Sequence, residues 1–143
     1  MSPDEALCKL QSYTSSGVPF VSLYLNVKPR RDGKIEFDRI KEEAEFYLKR
    51  FSGDTFSQAC LEFDLGKIVY CLQSNLKPET KSVAIFACAG DNGFFVPLEF
   101  TRPITRNQLS VGEMPCLYQL AALCQTEELA GEQLEVIAGS VTC

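Results

Sequence analysis

The chain has 143 residues, 45% hydrophobic and 23% charged, a composition that excludes a disordered, collagen-like or long coiled-coil protein. Histidine is absent, which excludes catalytic and metal sites built on imidazole. The net charge is −5, so any contact with nucleic acid must come from a local basic patch rather than from the overall field of the molecule.

Hydrophobic periodicity divides the chain into helices and strands. Apolar residues at three- and four-residue steps predict amphipathic helices, and alternation or short apolar runs predict strands. The predicted elements are a helix at 4–13, a strand at 18–27, helices at 35–51 and 55–75, strands at 82–89 and 94–100, an extended segment at 104–111, a helix from Pro115 and a strand at 134–138. The turn GDNG at 90–93 joins two of the strands into a hairpin.

Three local signals refine this outline. Thr55, with Gln58 three residues later, fits a capping box at the start of the helix at 55–75. Gly66 lies inside that helix, which either continues through the glycine or divides there. Pro97 marks its strand as an edge or a bulge. The sequence therefore predicts one α/β domain of the α+β type over 1–143, with a mixed β-sheet, a β-hairpin and flanking amphipathic helices.

Seven cysteines lie along the chain without a C-x-x-C pair, most of them in apolar runs where cysteine behaves as a small hydrophobe. We expect reduced thiols, no metal site and no cofactor. Cys116, after Pro115 at a predicted helix start, is the one candidate nucleophile, although core packing explains it better. The N-terminus lacks the apolar run of a secretory signal, and no apolar run is long enough to span a membrane. The expected location is therefore the cytoplasm.

Basic side chains form two groups that are candidates for nucleic-acid binding. They are Lys28, Arg30, Arg31 and Lys34 after the first strand, and Arg102 and Arg106 after the hairpin. If the sheet brings both groups to one end, they form a surface that faces phosphate groups, and an exposed Tyr13 or Tyr24 adds base stacking. An ordinary solvated loop is the alternative interpretation of the same charges.

Three phenylalanines, Phe94, Phe95 and Phe100, lie in the strand after the hairpin turn. If this strand is an edge that exposes them, they favour pairing with another chain. A protein-interaction module or a homodimer is therefore the alternative to an RNA-binding role.

Three stretches of the sequence, taken together, resemble a known family. GVPFVSLYLNV, then a charged amphipathic helix, then KSVAIFACAGDNGFFVPLEFTRPI and MPCLYQLAALC are similar to the N-terminal domain of the archaeo-eukaryotic peptide-chain release factor superfamily, most of all to its bacterial members. The resemblance extends from Leu7 to Cys124 and rests on apolar pattern, order and spacing. It requires the strand from Val21 to lie beside the strand from Val83, covered by the helix at 35–51.

The resemblance implies an α/β domain that acts in translation and contacts ribosomal or transfer RNA, or a ribosome-associated protein. The family's catalytic Gly-Gly-Gln tripeptide is absent from this sequence, and SGDTFSQ stands where the eukaryotic members carry the stop-codon loop Asn-Ile-Lys-Ser. The resemblance therefore implies no catalytic residue and no codon recognition here. We expect a non-catalytic RNA- or ribosome-associated module without a membrane anchor.

Overall fold

The computed structural model describes residues 2–15, 17–27, 38–74 and 76–131, which form a four-stranded sheet with helices on both faces. The elements are α1 (Pro3–Gln11), β1 (Phe20–Asn26), α2 (Asp38–Arg50), α3 (Thr55–Ser74), β2 (Ser82–Cys88), β3 (Phe94–Phe100), β4 (Gln108–Gly112) and α4 (Tyr118–Gly131). The strand order is β3-β2-β1-β4. The α+β class with a hairpin and flanking helices is confirmed.

The strands pair antiparallel throughout the described part of the chain, whereas the sequence predicted a mixed sheet. The antiparallel pairing of β1 and β2 follows from their connection, which contains the two helices that the sequence predicted, α2 and α3. A single crossover helix makes the next strand parallel, but a pair of helices returns the chain to the end where β1 finished. β2 therefore starts beside the end of β1, with Ser82 opposite Asn26.

The face of the sheet under α2 and α3 contains the apolar residues that alternate along β1. In register, Leu23 lies opposite Ile85 of β2 and Leu109 of β4. The buried members of this cluster are Val21, Leu23, Leu25, Ile40, Leu61, Ile68, Leu72, Val83, Ile85, Ala87 and Leu109. The prediction that the strands from Val21 and Val83 pair is confirmed. The helix over this pair is mainly α3, whereas α2, the described part of the helix predicted at 35–51, packs mainly against β4 and α3 on the same face.

The opposite face of the sheet packs under α1 and α4. Its buried members are Ala6, Leu7, Leu10, Phe20, Tyr24, Ala84, Phe86, Cys88, Val96, Leu98, Phe100, Ile104, Leu120, Leu123 and Cys124. Burying one side chain of the size of leucine or phenylalanine stabilises a fold by about 1.5–3 kcal/mol. β1 and β2, which are buried on both faces, therefore hold the domain together.

The polar side chains of β1 are buried because their hydrogen bonds are satisfied within the protein. Ser22 Oγ accepts the backbone N–H of Cys116 at 2.9 Å, and the Tyr24 hydroxyl donates to the Cys116 carbonyl. Burial raises the pKa of Tyr24, which stays neutral. The prediction of an exposed Tyr24 is wrong, and Tyr13 is half-buried, with its ring edge-on to Phe20 at 4.8 Å.

α3 is capped one residue earlier than the sequence predicted. The carboxylate of Asp54 accepts the Ser57 backbone N–H at 3.1 Å and the Ser57 hydroxyl at 2.7 Å, and these bonds lower the pKa of Asp54. Asp54, not Thr55, is therefore the N-cap. Gln58 instead donates to the Leu48 carbonyl at 3.1 Å, which ties α3 to α2. The helix continues through Gly66 without a break.

Cys60, Cys71, Cys88, Cys116 and Cys124 are free thiols, as predicted, whereas Cys8 is disulfide-bonded, so the expectation of reduced thiols is wrong at Cys8. No helix within the described ranges is long and apolar enough to cross a membrane. The strand predicted at 134–138 lies outside the described residues.

The hairpin between β2 and β3 turns through Asn92 and Gly93, both with positive φ, of 53° and 69°. At Gly90 the constraint is space: a Cβ there would lie 2.6 Å from Val18 Cγ2 and 2.9 Å from Val18 Cβ. The turn can therefore approach residues 17–19 only because position 90 has no side chain.

We predict that Gly90→Ala lowers the free energy of unfolding by about 1–3 kcal/mol, because Val18 or the turn must shift to admit the methyl group. Urea denaturation measures the change. Gly66→Ala is the matched control: a Cβ at Gly66 meets no described atom within 4 Å, so this variant should gain about 0.5–1 kcal/mol from helix propensity. Equal stabilities of the two variants would contradict the steric explanation.

Asp64 of α3 is a buried carboxylate that accepts the Ala89 backbone N–H at 2.9 Å, just before the hairpin turn. Burial raises the pKa of Asp64 to about 6, while the Ala89 N–H and the Lys67 ammonium oppose this shift. From about pH 4 to pH 6 the folded chain therefore binds a proton that the unfolded chain has released. The contribution of Asp64 to stability falls as the pH rises through this range.

We predict that Asp64→Asn, which keeps an acceptor oxygen and removes the buried charge, is more stable than wild type at pH 7 by at most about 3 kcal/mol. The advantage should shrink towards zero at about pH 4, where Asp64 is largely protonated in the folded state. Urea denaturation at the two pH values measures it, with the exposed Glu79→Gln as control. An advantage that is the same at both pH values would show that the charge is not its cause.

Candidate nucleic-acid interface

The loop between β3 and β4 carries both candidate arginines of the second basic group, and Asn26 at the end of β1 fixes this loop. The Asn26 side chain donates to the Ile104 carbonyl at 3.2 Å and accepts the Ile104 N–H at 2.8 Å. The Asn26 backbone N–H donates to Asn107 Oδ1 at 2.7 Å. Three hydrogen bonds from one residue therefore set the path of the loop midway between Arg102 and Arg106.

β2 holds the same loop at its beginning. The hydroxyl of Ser82 donates to the carbonyl of Arg102 at 2.6 Å. Ser82 and Asn26 are paired neighbours in the sheet, so the loop is attached to adjacent ends of the two central strands. We call residues 101–107 the arginine loop. Its hydrogen bonds to Ser82 and Asn26 position it on the most buried part of the fold.

A cavity of about 480 Å³ lies between the arginine loop and the first turns of α4. Arg102, Arg106 and Tyr118 line it together with the apolar side chains of Ile104 and Leu123. Arg106 is exposed, and Tyr118 is 84% exposed. The volume lies in the range of about 300–1,000 Å³ that is typical of small-molecule sites and is sufficient for one nucleotide.

Two amide side chains form the polar wall of this cavity. Gln119 Nε2 donates to the Arg106 carbonyl at 3.1 Å and to Gln108 Oε1 at 3.0 Å. Gln108 Nε2 in turn donates to Ser110 Oγ at 3.3 Å and approaches Cys116 Sγ at 3.8 Å. Gln119 Oε1 is buried without a hydrogen-bond partner among the described residues. The chain of amides attaches the arginine loop to α4 and fixes the orientation of both glutamines.

Cys116, the candidate nucleophile, lies in the wall of the same cavity. Its backbone N–H and carbonyl bind β1, so the thiol is held at a set place. The described lining residues include no carboxylate that could take a proton from the thiol. Within the described ranges, no group of three Cys, Asp or Glu side chains could hold a metal ion.

An acidic side chain limits the positive surface on one side. Glu43 of α2, together with Arg106 and Gln108, lines a second cavity of about 420 Å³ next to the first. Glu43 Oε2 is buried and has no hydrogen-bond partner in the part of the chain that the structure describes. A phosphate group is therefore better placed near Arg102 and Tyr118 than on the α2 side of Arg106.

The first basic group, Lys28, Arg30, Arg31 and Lys34, lies outside the described residues. The chain reaches this group through Val27, whose N–H donates to the Lys81 carbonyl at 2.9 Å. Val27 follows Asn26 directly. The last described residues before the first basic group therefore lie next to the arginine loop.

The three phenylalanines of β3 do not form a common exposed surface. Phe100 is 1% exposed and belongs to the core. Phe94 and Phe95 are half-buried and pack on opposite faces of the sheet. The exposed residues of β3 are Pro97 and Glu99. β3 is an edge of the sheet formed by the described strands, as Pro97 predicted, but its outer surface is not aromatic.

Some residues of the site could have been found from the sequence, and others could not. The periodicity of α4 puts Leu120 and Cys124 on the buried face, which leaves Tyr118 on the opposite side as an exposed aromatic. Helical periodicity is therefore the signal that could have found Tyr118. Asn26 and Gln119 carry no local signal, because their partners are 78 and 13 residues away.

No protein-family model matches the sequence, and a search of curated proteins finds no match. The function has to be inferred from the cavity and its surroundings.

We predict that Asn26→Ala loosens the arginine loop, because the Ile104 N–H and carbonyl lose their partners. The loss of such buried bonds costs about 1–3 kcal/mol. Amide hydrogen exchange at Ile104 should accelerate by roughly ten-fold or more, since each 1.4 kcal/mol is a factor of ten. Gln11→Ala, which removes an exposed amide from α1, is the control. Unchanged exchange at Ile104 would show that other contacts hold the loop.

Proposed function

We propose that this domain is a non-catalytic RNA- or ribosome-associated module that contacts single-stranded RNA at the arginine loop. The observation that carries the proposal is the placement of Arg102, Arg106 and the exposed Tyr118 around one cavity of nucleotide size. Guanidinium groups bind phosphate through charge-assisted hydrogen bonds, and an exposed aromatic ring stacks on a base. The two kinds of contact lie within one short loop and the helix that faces it.

Local charge supports the same role in a chain whose net charge is −5. Arg106 is exposed, and among the described residues neither arginine forms an ion pair. The N-terminus of α4, which begins at Tyr118, adds a partial positive charge. Lys28, Arg30, Arg31 and Lys34 follow Asn26 within eight residues of the sequence, and they stay a predicted second group of RNA contacts outside the described residues.

The resemblance to the N-terminal domain of the release factor superfamily agrees with a partner of this kind. In this proposal the ligand is a single-stranded segment of ribosomal or transfer RNA, or RNA presented with a ribosome-associated protein, in the cytoplasm. Single-stranded bases are exposed for stacking, whereas paired bases are not. The cavity then takes one unpaired base, with its flanking phosphates near Arg102.

We predict that a fluorescently labelled single-stranded RNA binds the full chain with an affinity that falls steeply with salt. Arg102→Ala should weaken binding and lower the slope of log K against log[salt] by about 1, because one phosphate contact is lost. Tyr118→Ala should weaken binding by roughly ten-fold with an unchanged slope, because stacking releases no counterions. Fluorescence anisotropy measures both quantities.

Arg50→Ala is the control, since Arg50 lies at the end of α2, outside the cavity lining, with its guanidinium 5.7 Å from the centre of the Tyr47 ring. It should leave both affinity and slope unchanged. If folded wild-type protein shows no RNA binding at about 50 mM salt, the proposed function is wrong. If binding persists in Arg102→Ala and is lost when Lys28, Arg30, Arg31 and Lys34 are replaced by serine, the arginine loop is not the contact surface.

A further inference from the structure

The outward face of α3 carries three large aromatic side chains. Phe56 and Phe63 are each 61% exposed, and Tyr70 is 69% exposed. They follow one another at intervals of seven residues, so they form one stripe along the helix. The opposite face of α3 is buried against the sheet. A helix that is apolar on both sides is normally covered on both sides.

Small residues separate the aromatic ones. Ala59 and Gly66 lie three residues after Phe56 and Phe63, and both are exposed. A Cβ at Gly66 would meet no described atom within 4 Å, so neither packing nor backbone conformation requires glycine there. In heptad terms, the aromatic residues occupy positions a, and Ala59 and Gly66 occupy positions d. Small side chains at d let a second helix approach closely.

Opposite charges flank this stripe. Glu62 lies on one side, at position g, and Lys67 on the other, at position e, and both are exposed. The Lys67 ammonium lies 4.5 Å from the centre of the Phe95 ring in the same chain, so it has to turn from this ring to reach a second copy. In a parallel pair of helices, position g of one faces position e of the other five residues on. Glu62 of each copy then faces Lys67 of the other.

An antiparallel arrangement reverses this complementarity, because g then faces g and e faces e. Glu62 would face Glu62, and Lys67 would face Lys67, both repulsive. The charges on α3 therefore favour a second copy of the same helix in parallel orientation over the antiparallel one.

The exposed aromatic area of α3 has the size that a weakly associating dimer buries. An aromatic side chain carries about 150–250 Å² of surface, so the three rings present roughly 300–500 Å² per copy. Across a pair this amounts to roughly 600–1,000 Å², to which Ala59, Gly66 and the stems of Glu62 and Lys67 add. The total surface buried in the dimer therefore reaches about 1,000 Å², the lower limit for a specific protein–protein interface.

We propose that two copies of this domain associate through the outward faces of α3, in parallel, with Phe56, Phe63 and Tyr70 at the centre and Glu62–Lys67 pairs on both sides. The surface is distinct from the arginine loop, and it replaces the β3 phenylalanines as the site of self-association. The association does not require RNA.

Sedimentation equilibrium of the full chain without RNA tests the proposal. Wild type should show a concentration-dependent monomer–dimer equilibrium. Glu62→Lys alone and Lys67→Glu alone should each weaken the dimer by roughly ten-fold, because each replaces two attractive pairs by two repulsive ones. An equimolar mixture of the two variants should recover dimers, since the introduced lysine of one variant then faces the introduced glutamate of the other. Recovery in the mixture also shows that both variants are folded.

Phe63→Ser should abolish the dimer, while Phe46→Ser, which removes an equally exposed phenylalanine from α2, should not. Circular dichroism should show unchanged helix content in both variants. A wild-type chain that stays monomeric at about 1 mM would overturn the proposal, since a specific contact of this size should be detectable there. Dimers that do not recover in the mixture, or that depend equally on Phe46, would place the interface elsewhere.

Discussion

The fold depends on the burial of β1 on both of its faces. Val21, Leu23 and Leu25 pack beneath α2 and α3, and Phe20 and Tyr24 pack beneath α1 and α4. Helices could not pack on both faces of β1 if the buried hydroxyls of Ser22 and Tyr24 had no hydrogen-bond partners. Both hydroxyls bind the backbone of Cys116, and these bonds hold the segment that precedes α4 to the middle of the sheet.

The same strand also positions the candidate RNA surface. Asn26 ends β1 and makes three hydrogen bonds to the arginine loop, while Ser22 and Tyr24 hold the segment on the other side of the cavity. The two walls of the cavity are therefore attached to one rigid element. A ligand that binds a cavity whose walls are already positioned loses less free energy to ordering of the protein.

Sequence periodicity was sufficient for the main architecture. The alternation from Val21 to Val27 predicted the pairing of β1 with β2, and the stripe of the helix at 35–51 predicted a helical layer on one face of the sheet, because both patterns are local consequences of apolar burial. The direction of pairing could also have been derived from periodicity, because two helices were predicted between β1 and β2, and a pair of helices returns the chain to the end of β1. Periodicity misjudged Tyr24, because a tyrosine is buried only where its hydroxyl finds a partner, and that partner is 92 residues away.

The candidate site was predictable in part. The positive charges of Arg102 and Arg106 are evident in the sequence, and the helix pattern around Tyr118 contains the information that its ring points outwards. The cavity itself is a tertiary feature, since it exists only where the loop after β3 meets α4. The supporting amides of Gln108 and Gln119 have no signature in the sequence, because glutamine at these positions is also typical of a solvated surface.

Pro97 has a consequence for the behaviour of the domain in a concentrated solution. It lies on β3, at one edge of the sheet formed by the described strands, and it offers no N–H to an approaching strand. Glu99, two residues on, presents a carboxylate on the same exposed side and also accepts the Thr80 hydroxyl. A proline and a charge on one short edge interrupt the ladder that a foreign strand needs. Growth of the sheet from chain to chain, the first step towards fibrous aggregates, is thereby opposed at this edge.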